Sequence, residues 1–314
     1  METIDYSVNM GHNDFRTQIL TVEELIYRFD ETDAMSSVSS FRRPTAPQSS
    51  RIIESLLLGM PQPMLYIDDS RSEFVVVEGA EHLYAYYSFC KKGMVLSSLY
   101  FKKEQYEGRT FYDLSPLAQS NILNTKITVN VLNPGLTPHE RFGVYLCLKS
   151  RLDSASISWC RSKIYPYEFQ WIKDLARRMS TRGRTDSLES AICYMLVGCY
   201  YQSFLNGSSL HQIDAVANQI MEYVYHDSMK ASFMDDFEFI VKSYLRFTTI
   251  HVVQPKVWGL YLSVFYHLYK RYGDLDKIKR WDVHLKSSVS VYSIMRDDSA
   301  EYFCRKIDEI LSKL

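Results

Sequence analysis

The apolar residues of this chain change period part-way along it, and that change most constrains the fold. Up to residue 132, the runs MLYIDD (64–69), EFVVV (73–77), VLSSLYF (95–101) and KITVNVL (126–132) read as strands between helical segments. From about residue 166, six segments repeat at helical spacing: YEFQWIKDLARRM, SLESAICYMLVGCYYQSFL, LHQIDAVANQIMEYVYHD, DDFEFIVKSYLRF, WGLYLSVFYHLYKRY and SAEYFCRKIDEILSKL. No strand pattern is clear after residue 132, and no repeat period links the helices, so a bundle is expected rather than a solenoid. The expected class is therefore α+β. A mixed α/β domain spans 18–160 after an N-terminal extension, 1–17, and an all-α helical bundle domain spans 161–314.

Local signals refine this layout. Thr21 and Glu24 form a capping box for a helix over 21–29, and the serine- and proline-rich 36–50 reads as irregular. RIIESLLLG (51–59) reads as a helix stopped by Gly59 and the Pro61-Gln62-Pro63 turn. A tight turn around Asp69-Ser70-Arg71 joins the next two strands. A helix from Gly79 to Lys92 ends at Gly93, Ser115 caps a helix begun by Pro116, and Thr137-Pro138 with Glu140 starts another.

Bulk properties exclude several classes. A formal net charge of −1 gives no whole-molecule attraction to nucleic acid or anionic membrane, so nucleic-acid binding would need a local basic patch. The longest apolar run, AICYMLVGCYY (191–201), is too short for a membrane span. The N-terminus has early charges and no apolar core, unlike a signal peptide. The six cysteines show neither a CxxC nor a paired framework, which suits reduced thiols and a cytoplasmic location. Neither GxxxxGK[ST] nor GxGxxG occurs, and no histidine pairs at metal-ligand spacing, so no metal site is expected.

Two stretches carry candidate chemistry. In FVVVEGAEHLYAYYSF (74–89) a buried strand breaks at Glu78-Gly79 into a helix whose first turn holds Glu81 and His82. A helix start attracts anions, yet these two carboxylates repel them. Glu78, Glu81 and His82 read either as helix-start residues or as a rewired acid–base or divalent-cation set. In LARRMSTRGRTDS (175–187), Arg177, Arg178, Arg182 and Arg184 could grip phosphates, or simply solvate a helix end.

The order of several motifs resembles one family. SSRIIESLLLGMPQPMLYIDD, EFVVVEG and GRTFYDLSPLAQSNILNTKITVNVLNPGLTPHERFGVYLCLKSRL are similar to the GmrSD-type domain, over roughly residues 18–165. That ParB/sulfiredoxin-like nuclease–NTPase domain fronts type IV restriction enzymes and related phage-defence proteins. The resemblance implies a ParB-like fold and, in an active member, a nucleoside triphosphate with magnesium. The family's Asp-Gly-x-Gln-Arg falls on Glu78-Gly79-Ala80-Glu81-His82, so only the glycine is kept. Its Asn-Thr-Gly-Gly motif falls on the run from Lys149 to Leu152, and the glutamate of a later motif falls on Trp159, with Arg161 kept. Its early Gln-Arg is represented by Arg42-Arg43. By this resemblance Gly79, Arg43, Lys149 and Arg161 stand at nucleotide-binding positions, and Glu78, Glu81 and His82 at catalytic ones.

Scaffold residues persist while the polar ones change. Histidine for arginine removes a bidentate phosphate fork, and glutamate for glutamine adds negative charge. The expectation is a catalytically degenerate GmrSD-like protein, more binding module than enzyme, in bacterial defence against phage or foreign DNA. A protein partner or self-association through the tyrosine-rich helices is expected, with no membrane. The alternatives are an NTPase or nuclease with a rewired Glu/Glu/His site, and a non-catalytic nucleic-acid-binding protein.

Overall fold

The computed structural model describes residues 15–31, 44–70, 75–149, 153–180, 185–204, 212–226, 235, 237–243, 254–273 and 298–313. These fall into two compact units, one of 15–137 with 147–149 and the other of 138–146 with 153–313.

In the first unit, alternation in KITVNVL turns Ile127, Val129 and Val131 to the buried face of β4 (Lys126–Leu132), an interior strand. On one side β4 pairs antiparallel with β1 (Phe15–Thr21), Phe15 opposite Leu132. On the other it pairs parallel with β2 (Leu65–Asp68), Leu65 opposite Val129. β3 (Val75–Glu78) lies antiparallel to β2, so the sheet order is β1-β4-β2-β3. Asp68 Oδ1 accepts from the Ser70 amide at 3.0 Å and its hydroxyl at 2.6 Å, starting the turn after β2; Arg71 lies outside the described residues. β1 was not expected from the sequence, because within FRTQILT only Leu20 is buried and no period shows.

Among the described residues, the helices α1 (Val22–Glu31), α2 (Ala46–Leu57) and α3 (Ala80–Lys92) cover this sheet. Leu25, Ile26, Ile53, Leu56, Leu83 and Phe89 pack with Ile67, Ile127 and Val129 into one core. The Thr21–Glu24 box opens α1, with the Thr21 amide donating to Glu24 Oε2 at 2.7 Å. α2 begins at Ala46, inside the stretch expected to be irregular. Thr45 and Gln48 form a second capping box, and Pro47 fits a first turn where no amide is needed. α3 stops at Gly93, which takes the left-handed conformation.

The expected strand VLSSLYF is not one. Residues 95–101 run irregularly between α3 and α4 (Lys103–Tyr106). Side chains take the amides a neighbouring strand would have bonded. Ser97 N donates to Ser50 Oγ at 3.0 Å, Ser98 and Leu99 to Glu107 at 2.7 and 3.0 Å, and Tyr100 to Glu54 Oε2 at 3.0 Å. With those donors satisfied locally, pairing adds nothing. α5 (Pro116–Leu123) follows, with Ser115 as its cap.

The second unit is helical. It comprises α6 (Pro138–Leu148) as far as residue 146, α7 (Ser154–Ile164), α8 (Gln170–Met179), α9 (Asp186–Phe204), α10 (Ile213–His226), a helix at 237–243, α11 (Pro255–Tyr272) and α12 (Ala300–Lys313). α7, capped by Asp153, was not foreseen, and residue 160 falls within it. α9 packs against α7, α8, α10, α11 and α12. Every residue from Ala191 to Val197 is at most 4% exposed, as an all-round apolar helix requires. Gly198 and Gly259 let α9 and α11 close on each other: a Cβ on the first would overlap Ser263, and on the second Tyr194. No described helix is long and apolar enough to cross a membrane.

Candidate functional site

The strongest candidate site is the turn from β3 into α3. Gly79 holds φ 86° and ψ 15°, and a Cβ there would overlap Leu65 Cδ2 in the buried strand β2. Only glycine meets both demands. Gly79→Ala is expected to cost about 1–3 kcal/mol of unfolding free energy, measured by urea denaturation. An unchanged midpoint would contradict the turn geometry.

Gly79 has no side chain to cap α3, so the first turn carries only the charge of its own residues. His82 and Leu83 donate backbone N–H to the Gly79 carbonyl at 3.1 and 3.2 Å. Glu81 is exposed, its Oε1 3.8 Å from His82 Nδ1, too far for a hydrogen bond. The His82 ring meets Tyr86 edge-on at 6.5 Å, and its Nδ1 is buried without a hydrogen bond. Burial pulls the His82 pKa below its ordinary value, with Glu81 opposing. At neutral pH the ring is therefore a neutral imidazole.

Lys149 completes the cluster from beyond the end of α6. Its side chain is 3% exposed, its Nζ donates to the Val77 carbonyl, and it stands 3.9 Å from Glu78 Oε2. Glu78 is half-buried, and burial pushes its carboxyl above the ordinary range; Lys149 opposes this and Glu81 adds to it. The structure thus brings Glu78, Gly79, Glu81, His82 and Lys149 together. Their chemistry is that of a structural clamp: an ammonium buried under the turn ties β3 to the segment after α6. Among the described residues, no three His, Cys, Asp or Glu side chains converge to hold a metal ion.

The other sequence candidates lie elsewhere. Arg161 is wholly buried in the helical unit, with Nη2 2.6 Å from Asp214 Oδ1 and Nε 2.8 Å from Asn218 Oδ1. Arg177 pairs with Asp174 at 2.9 Å, and Arg178 with Glu238 at 3.0 Å, beside a shallow cleft shared with Trp171. Arg43, Arg182 and Arg184, with Arg42, Arg151 and Leu152, lie outside the described residues.

One organising residue was missed. Glu54 is buried on α2 and accepts three amides from the 95–102 segment. Its signal was a carboxylate on the same helical face as Ser50, where the helix meets its neighbours. Compared with known families, curated proteins and solved structures, the chain matches none.

Proposed function

We propose that this chain is a GmrSD-like protein on a ParB-like scaffold that has lost the parental nucleotide chemistry and acts by binding or assembly in bacterial defence against phage or foreign DNA. One observation supports the loss above all: among the described residues, the cation at the β3–α3 turn, Lys149, is buried and already engaged by Val77 and Glu78. A triphosphate would meet the carboxylates of Glu78 and Glu81, a neutral His82, and no free guanidinium from the turn's own residues. These groups do not fit a nucleoside triphosphate with magnesium, and no hydrolytic step is assigned to them.

Thermal shift against nucleoside triphosphates, with and without magnesium, tests the proposal. A site filled at about 100 times its Kd adds about 2.7 kcal/mol, enough to raise Tm by several degrees. The expected result is no shift, and no hydrolysis or DNA cleavage. A shift of several degrees that disappears in Glu78→Ala, with turnover lost alongside, would overturn it.

A further inference from the structure

The segment between α3 and α4 presents two large rings to solvent, Tyr100 at 68% and Phe101 at 77% exposure. A backbone that must be ordered when a ligand arrives takes free energy from binding. Here the ordering is already complete. Every amide from Ser97 to Lys102 is held by a side chain: Ser50 takes the first, Glu107 the next two, and Glu54 the last three at 3.0, 2.6 and 2.8 Å. Ser98 alone among the described non-glycine residues has positive φ, 58°, and its amide is one of those held.

The charge around the rings is equally specific. The Arg51 guanidinium carbon stands 4.7 Å over the Tyr100 ring, and Lys102 and Lys103 follow Phe101 directly. None of these three cations makes a direct ion pair among the described residues, whereas Arg177 and Arg178 both do, although Arg51 attracts the Glu54 carboxylate and Lys103 that of Glu107. Glu54 and Glu107 direct their oxygens to backbone amides and stay ionised there, and Glu104 is the one other carboxylate between residues 95 and 109.

We infer that Tyr100 and Phe101, with Arg51, Lys102 and Lys103, form a binding site for single-stranded nucleic acid. Unstacked bases lie on exposed ring faces, and flanking cations take the phosphates; a duplex keeps its bases stacked and offers only the phosphates. With a whole-chain charge of −1, attraction must come from such a local group rather than from the molecule at large. The site uses none of the residues of the β3–α3 turn, so it stands whether or not nucleotide chemistry is found there.

Fluorescence anisotropy of the full chain with labelled oligo(dT) and oligo(U) of about 20 nucleotides, against a duplex of equal length, tests this at about 50 mM salt. Single strands are expected to bind more tightly than the duplex. Tyr100→Ala with Phe101→Ala should weaken binding about 10-fold or more at unchanged Tm. Lys102→Ala with Lys103→Ala should lower the slope of log K against log salt by about 1.4. No single-strand binding at low salt, or binding that survives both double variants, overturns the inference. So does a patch whose variants change only the self-association of the chain, since that marks a protein contact.

Discussion

Glu54→Ala is expected to lower the unfolding free energy by about 3–5 kcal/mol, because it leaves three amides without the charged acceptor they were folded around. Tyr100 N lies 3.0 Å from Oε2, and Phe101 N and Lys102 N lie 2.6 and 2.8 Å from Oε1. Glu54→Gln keeps the shape but sets an amide NH2 against one of those donors, so its cost should fall between wild type and alanine. Burial alone pushes the Glu54 carboxyl up, but the three amide bonds and nearby Arg51 more than reverse it, and the pKa lies below the ordinary value. A carboxyl depressed in the folded state stabilises above its unfolded pKa and stops doing so as pH falls through the folded one. Wild type should therefore lose this stabilisation below about pH 4, while Glu54→Ala has none to lose. Urea denaturation at neutral pH and in an acid series reads both effects. An alanine variant as stable as wild type would show that the 97–102 backbone is held by something else.

In the helical unit, Asp214→Ala is expected to cost about 3–5 kcal/mol by stranding the Arg161 charge in the core. Arg161 is fully buried between Phe142, whose ring centre lies 5.8 Å away, and the polar pair on α10. Its Nη1 has no hydrogen bond, so the guanidinium is imperfectly satisfied even in wild type. For that reason Arg161→Met, which removes the charge and keeps apolar volume, should be milder than Asp214→Ala, and the two together milder than the sum of the singles. Chemical denaturation of the three variants checks this order. If Arg161→Met proves the more damaging, the ion pair stabilises the fold by more than its desolvation costs.

The same two residues mark how far the sequence could be read. Motif order puts Arg161 with the nucleotide-binding positions, yet its partners are Asp214 and Asn218, more than fifty positions away. Nothing local in SWCRSKI distinguishes an arginine turned into a core from one turned to solvent. Motif order likewise puts Lys149 with those positions. Its contact with the Val77 carbonyl and Glu78 depends on the chain returning after α6 to the end of β3. VLSSLYF looked like a strand because its apolar residues suit one, but a strand needs a partner for its amides, and Glu54, Glu107 and Ser50 reached them first.

What the sequence by itself determined is whatever a few neighbouring residues decide between them. The Thr21–Glu24 box, the Gly93 stop, the Ser115-Pro116 start and the alternation of β4 all act within one turn or one strand, and each appears where the sequence placed it. The switch from mixed structure to helices after residue 132 follows from the same short-range periods. Tertiary structure alone decided which polar groups are buried, and against what. Desolvation makes each such group depend on a partner that can lie anywhere in the chain, and no local pattern records where that partner is.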